Sequence, residues 1–137
     1  MKNPHNITKD FEAALCEYTG APYAVAVTSC TMALLLAVRW NLWVKRPGNW
    51  FCDGHPNVEI PKRTYVSVPM SIIHAGGRPT FRDEEWLGAY QLKPLPVWDS
   101  ARFFSWGMYE ANDHDWHHAM VCTSHHWSKT LGIQQGG

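Results

Sequence analysis

The chain has 137 residues, 45% of them hydrophobic, and its 12 basic residues balance 12 acidic ones to a formal net charge of +0. A length of this order fits one domain that buries about two-thirds of its unfolded surface. The absence of a basic stripe argues against nucleic acid as a partner, and no apolar run is long enough to span a bilayer.

The opening MKNPHNITKDFEAAL has no apolar core behind its lysine, so it does not read as a secretory signal and points to the cytosol. In that compartment Cys16, Cys30, Cys52 and Cys122, far apart and without a CxxC pair, read as reduced and mostly buried thiols. ITKDFEAALCEYTG sets Phe11, Ala14, Leu15 and Tyr18 on one helical face, with Gly20 as the C-terminal stop. YAVAVTS, from Tyr23 to Ser29, is a β-branched apolar run expected to form a buried strand. CTMALLLAVRWNLWV follows at once as a well-buried helix whose N-terminus falls at Ser29, Cys30 and Thr31. Strand, tight turn and helix together begin an α/β unit.

RPGNWFCDGHPN reads as a loop, VEIP as a second strand, and RTYVSVPMSIIHAGG as a loop entering a helix closed by Gly76 and Gly77. Pro69 belongs in the first turn of that helix, where its missing N–H does no harm. RPTFRD, LPVWDSA and AMVCTS are further strand candidates, the last two closing on Asp99 and Ser124. The alternation predicts a three-layer α/β/α fold around a mostly parallel sheet covered on both faces. Ligands of such sheets bind beyond the carboxyl ends of the strands, where Thr28, Ser29, Asp99, Ser124 and Lys129 all fall.

The chemistry of these positions admits two readings each. TSCT before the apolar helix offers hydroxyls and free N–H groups to an anion such as phosphate, or simply an N-cap by Ser29 or Thr31. Asp99 is placed to pair with a protonated ring nitrogen, or to cap the next segment. Tyr65 is placed to stack on a planar ring, or to pack locally. Lys129 is an aldehyde-binding amine if partly desolvated, or a solvated loop lysine. Ser124 adds a hydroxyl to the same neighbourhood. Taken together they suggest pyridoxal 5'-phosphate (PLP): a phosphate cradle, a ring stacker, a carboxylate for the pyridine nitrogen and a lysine for the aldehyde.

Block by block, the chain resembles the DegT/DnrJ/EryC1/StrS family, sugar aminotransferases of PLP fold type I. EYTGAPYAVAVTSCTMALLLAV is similar to the family's "YAVAVSSGTAAL" strand–helix, and IPKRTYVSVPMSIIHAGGRPTFRD to "PsxTxVsTxNaixxxGaxPvfvD". WDSARF resembles "EDaAqa", and SHHWSKTLGIQQGG resembles "SFhxxKxlxxGeGG". The resemblance implies that Lys129 is the Schiff-base lysine and Asp99 the partner of the pyridine nitrogen, the two catalytic residues. It implies further that Tyr65 stacks on the ring, and that Ser29, Cys30, Thr31 and Ser124 bind the phosphate, Cys30 and Thr31 through backbone N–H groups. Arg102 stands where the family usually has Gln or His beside the cofactor's ring hydroxyl. Cys30 replaces the usual glycine, and Gln135 the glutamate of GeGG. The stretch between RPTFRD and VWDSAR is shorter than usual and is expected to omit one strand and one helix.

The implied fold is the N-terminal portion of a PLP fold type I large domain, with residues 1–137 a partial PLP-binding domain and the C-terminal small domain absent. The implied activity is transfer of an amino group from an amino acid, commonly glutamate, to a nucleotide-linked keto-sugar, by a homodimer. A lysine rather than a histidine at position 129 favours transamination over dehydration. A chain of this extent is also open to reading as a non-catalytic remnant or binding module. A metal site is the remaining alternative, since His114, His117, His118, His125 and His126 crowd late in the chain. No HExxH pattern or finger-like cysteine pair supports it. His125 and His126 have no assignable role from sequence.

Overall fold

The computed structural model describes residues 4–44, 54–111, 116, 118–129 and 136–137. The first element, α1, runs Pro4–Thr19. Its Phe11, Leu15 and Cys16 are half-buried and Thr19 is buried, whereas Ala14 is exposed, so the inward face is narrower than the periodicity suggests. Tyr18 is partly exposed and stacks on Phe104 with ring centroids 5.3 Å apart. The helix ends as expected at Gly20, whose φ of 78° lets its N–H bond back to the Cys16 carbonyl at 2.9 Å. A Cβ there would also come within 2.8 Å of the Glu110 side chain, so this position favours glycine on two counts.

Residues 23–29 do not form the expected buried strand. Tyr23 is 87% and Val25 77% exposed, and the run is extended but outside any ladder. Its backbone bonds go elsewhere: the Ala26 N–H donates to Glu12 Oε1, and Val27 exchanges both backbone bonds with Gly137. High β-propensity makes a strand only where a partner strand lies alongside, and among the described residues Val27 alone in this run has a backbone partner of that kind.

Helix α2 spans Cys30–Arg39 and continues into a π-turn over Trp40–Val44. Ser29 caps it: its backbone is extended and its Oγ accepts from the Met32 N–H at 3.2 Å. Leu34, Ala37 and Val38 are buried on one side, continued by Asn41 and Leu42 of the π-turn. The buried Asn41 amide is satisfied by donating to the Ala37 carbonyl at 2.9 Å.

Strand β1 (Asn57–Pro61), helix α3 (Ser67–His74) and strand β2 (Arg78–Arg82) make one β–α–β unit, β1 and β2 pairing in parallel. Pro69 sits in the first turn of α3, and the chain turns at Gly76, φ 88°, before β2. Strand β4 (Val97–Ser100) pairs in parallel with β5 (Met120–Thr123), and Asp99 lies inside β4 rather than at its end. Between β2 and β4 there is no helix. A two-residue strand, β3 (Tyr90–Gln91), lies antiparallel to β4 and is an element the sequence did not suggest.

The parallel pairs therefore belong to two sheets, β1–β2 and β3–β4–β5, instead of one unbroken sheet. They are joined where Glu59 and Lys93 exchange backbone bonds at 2.7 and 3.0 Å. One core serves both. Leu34, Val38 and Leu42 of the long helix pack with Val58, Ile60, Ile72, Leu92, Val97 and Cys122. Each such aliphatic side chain, removed fully from water, contributes about 1.5–3 kcal/mol. The architecture is mixed α/β with parallel strand pairs, as expected for the N-terminal part of a PLP fold type I domain. Among the described residues no helix is long and apolar enough to cross a membrane.

Candidate active site

Parallel β4 and β5 lie side by side, with the first turn of α2 against them. In the β4–β5 register Asp99 stands opposite Cys122, and the Cys30 thiol at the start of α2 donates to the Cys122 carbonyl at 3.7 Å. The Asp99 carboxylate is buried, at 6% exposure. It is nevertheless well supplied: Tyr90 OH donates to Oδ2 at 2.7 Å, and the Ala101 N–H donates to Oδ1 at 3.0 Å. Burial raises its pKa above the ordinary carboxylate value, while those two hydrogen bonds and the charge of Lys129 pull it back down.

Lys129 is half-buried, and its charge acts on both Asp99 and Cys30. Its backbone N–H closes a turn on the His126 carbonyl at 2.8 Å, which fixes where the lysine leaves the chain after β5. The Cys30 thiol is pushed up to about 12, first by burial and then by the Asp99 charge, with Lys129 opposing. Cys30 is therefore a neutral thiol at ordinary pH and no nucleophile.

The structure thus brings Cys30 and Asp99 to one corner, with Ser29 directly before Cys30 as the cap of α2 and Lys129 near enough for its charge to be felt by both. Thr31 is exposed and bridges helices, its hydroxyl donating to Ser67 Oγ at 3.1 Å. Ser124 is half-buried directly after β5. Tyr65, 74% exposed, precedes α3, whose first turn is closed by the Val68 N–H bonding to the Tyr65 carbonyl. Its chain neighbour Thr64 reaches the Tyr90 hydroxyl that bonds Asp99, and Arg102 is likewise exposed. Gly136 and Gly137 run close to this corner. A Cβ on Gly137 would fall 2.2 Å from the Cys30 nitrogen, so only glycine allows this approach.

Sequence reasoning missed Tyr90 and Thr64. Tyr90 faces Asp99 across the β3–β4 register, and its hydroxyl also contacts Thr64 Oγ1. Nothing local marks either residue, since Tyr90 meets Asp99 nine residues on and Thr64 meets Tyr90 26 residues on. The histidines divide. His114 and His117 lie outside the described residues, and His118 and His126 are exposed. His125 is a core residue, 1% exposed, and edge-on to Phe11 and Phe104. Among the described residues no group of three or more His, Cys, Asp or Glu side chains is arranged to hold a metal ion.

The profile of the DegT/DnrJ/EryC1/StrS aminotransferase family matches residues 3–95. The chain belongs to this family. Members are generally PLP-dependent, and the matched span includes Ser29, Cys30, Thr31 and Tyr65 while stopping short of Asp99, Ser124 and Lys129. A curated relative, the spore coat polysaccharide biosynthesis protein SpsC of Bacillus subtilis (strain 168), is 37% identical over 75 residues. That match covers 55% of this chain and 17% of the relative. No solved structure matches significantly.

The residues present fit PLP by the chemistry of their donor set. A buried carboxylate suits a protonated ring nitrogen, a half-buried amine suits an aldehyde, and the capped N-terminus of a ten-residue helix suits a phosphate.

Proposed function

We propose that this chain is the PLP-binding part of a sugar aminotransferase, moving an amino group from an amino acid, glutamate foremost, to a nucleotide-linked keto-sugar in polysaccharide biosynthesis. The observation that carries the reading is the buried Asp99 carboxylate, held by Tyr90 and Ala101 and standing in register opposite Cys122, whose carbonyl accepts from the Cys30 thiol at the start of α2. Asp99 would hold a proton on the ring nitrogen of the cofactor. Lys129 would bind the aldehyde and, once released, carry a proton to and from the reacting carbon. Ser29, Ser124 and the N–H groups at Cys30 and Thr31 would hold the phosphate, with Tyr65 stacking on the ring and Arg102 beside its hydroxyl. Bound there, PLP supplies an aldehyde that accepts the amino group and a ring that takes up electron density.

The family membership supports the reaction class, and the relative's printed role in polysaccharide biosynthesis supports a sugar acceptor. The free thiols among the described cysteines, Cys16, Cys30 and Cys122, suit the cytoplasm. A homodimer is supported by the exposed apolar side chains along α2, the π-turn and α3: Met32, Leu36, Trp40, Met70 and Ile73.

The test is spectroscopic. PLP added to the chain should develop a protein-bound visible band, and glutamate should bleach it as the amino group is taken up. A bound band that no amino acid alters would refute transamination.

A further inference from the structure

Asp99 reaches its position with a partner that neither the family likeness nor the sequence pattern assigns. Tyr90 on β3 is buried, at 3% exposure, and stands directly opposite Asp99 in the antiparallel register. Its hydroxyl lies 2.7 Å from Asp99 Oδ2. A phenol carries one proton and a carboxylate only accepts, so Tyr90 donates to Asp99. Thr64, whose Oγ1 is also on the Tyr90 hydroxyl, must then donate to the phenol oxygen. The result is a directed chain, Thr64 to Tyr90 to Asp99, in which each donor strengthens the next.

The phenol is also held from the side. The Trp86 ring lies 4.7 Å from the Tyr90 ring, and Trp86 is itself tied by its Nε1–H to the Arg63 carbonyl at 2.8 Å. With Ala101 on Oδ1 and Tyr90 on Oδ2, both carboxylate oxygens have a fixed protein donor, so the group cannot rotate freely.

Resting on the cofactor reading above, we propose that Tyr90, oriented by Thr64, is a positioning residue that fixes the Asp99 carboxylate to receive the ring nitrogen of PLP. The charged or titratable groups acting on this corner are Cys30 from α2, Tyr90 from β3, Cys122 from β5 and Lys129 after β5. Burial, then the neighbouring carboxylate, push the Tyr90 hydroxyl far above its usual range, so it stays a donor at every working pH.

Two measurements on the full chain test this. In the first, without cofactor, carbon-13 NMR follows the Asp99 carboxyl through an acid titration. Tyr90→Phe should move its midpoint upward, because a donor to the charged form is lost. Thr64→Val, which leaves the phenol in place, should move it in the same direction by less, and it serves alone should Tyr90→Phe not fold. In the second, PLP and its 1-deaza analogue, which lacks the ring nitrogen, are titrated into wild type and variants. Tyr90→Phe should weaken PLP by about tenfold or more, the loss expected of one charge-assisted hydrogen bond. The deaza analogue should bind wild type and variant alike. An unmoved Asp99 midpoint overturns the proposal, as does equal weakening of both ligands, which marks Tyr90 as merely structural. Wild type that binds no PLP overturns the cofactor reading and the positioning role together, so the two failures are distinct.

Discussion

Acid should destabilise this protein through one histidine, and the size of the effect follows from where it sits. His125 is 1% exposed, edge-on to Phe11 at 5.7 Å and Phe104 at 5.4 Å between ring centroids. Its Nε2 is 3.2 Å from Thr123 Oγ1, and its Nδ1 has no hydrogen-bond partner among the described residues. Charging the ring would put a second N–H into this apolar setting, and burial accordingly lowers the pKa below the usual 6.5. Beneath that value the unfolded chain takes up a proton that the folded chain refuses. The stabilising contribution is complete above about pH 6.5 and drains away as the pH falls toward the folded value, by at most about 1.4 kcal/mol per pH unit for one proton. His125→Phe keeps a ring against Phe11 and Phe104 and removes the titration. Urea unfolding of both proteins across this range should show the wild type losing stability relative to the variant as pH drops, with a constant difference above about pH 7. The raised pKa of Asp99 has the opposite sign, favouring the fold in acid, but it is common to both proteins and cancels in the difference. Curves that stay parallel down to acid pH would refute the argument.

Other consequences are simpler to read. Ile60, 0% exposed in the middle of β1, should cost about 2–5 kcal/mol on change to Ala, seen as a lower urea midpoint. Ser29→Ala removes the Met32 cap and should cost about 1 kcal/mol, whereas Ser29→Asp should keep most of it by the same unfolding measurement. Cys30, with its thiol pushed up to about 12, should resist iodoacetamide in the native chain at about pH 8 and react fully once the chain is denatured, as peptide mass mapping would report.

Much of this was legible from residue patterns, for reasons that are local. VEIP, RPTFR, VWDS and MVCT became strands as short segments with β-branched or aromatic residues set between turn signals, and α2 announced itself by length and by Ser29 ahead of a largely apolar stretch. Gly20 and Pro69 are punctuation with a steric cause. The strand expected from Tyr23 to Ser29 failed because strand formation is a property of pairs, and among the described residues Val27 alone there has a ladder-like partner, Gly137. Strand β3 was invisible for the opposite reason: two residues carry no periodicity, and only the partner β4 makes them a strand. The site divides the same way. Asp99 and Lys129 stood out as residue types at meaningful places, and the fold brings them within each other's field. Tyr65 and Arg102 are exposed. Tyr90 looked like any aromatic until a register placed it opposite a buried carboxylate. His125 looked like one of a metal-binding crowd, but its surroundings are phenylalanines.

The account stands most directly on Lys129. The chain would be incubated with PLP, reduced with borohydride, digested and mapped by mass spectrometry beside Lys129→Ala. A stoichiometric pyridoxyl group on Lys129, absent from the variant, is the predicted result. Weak labelling scattered over the lysines, unchanged in Lys129→Ala, would contradict it.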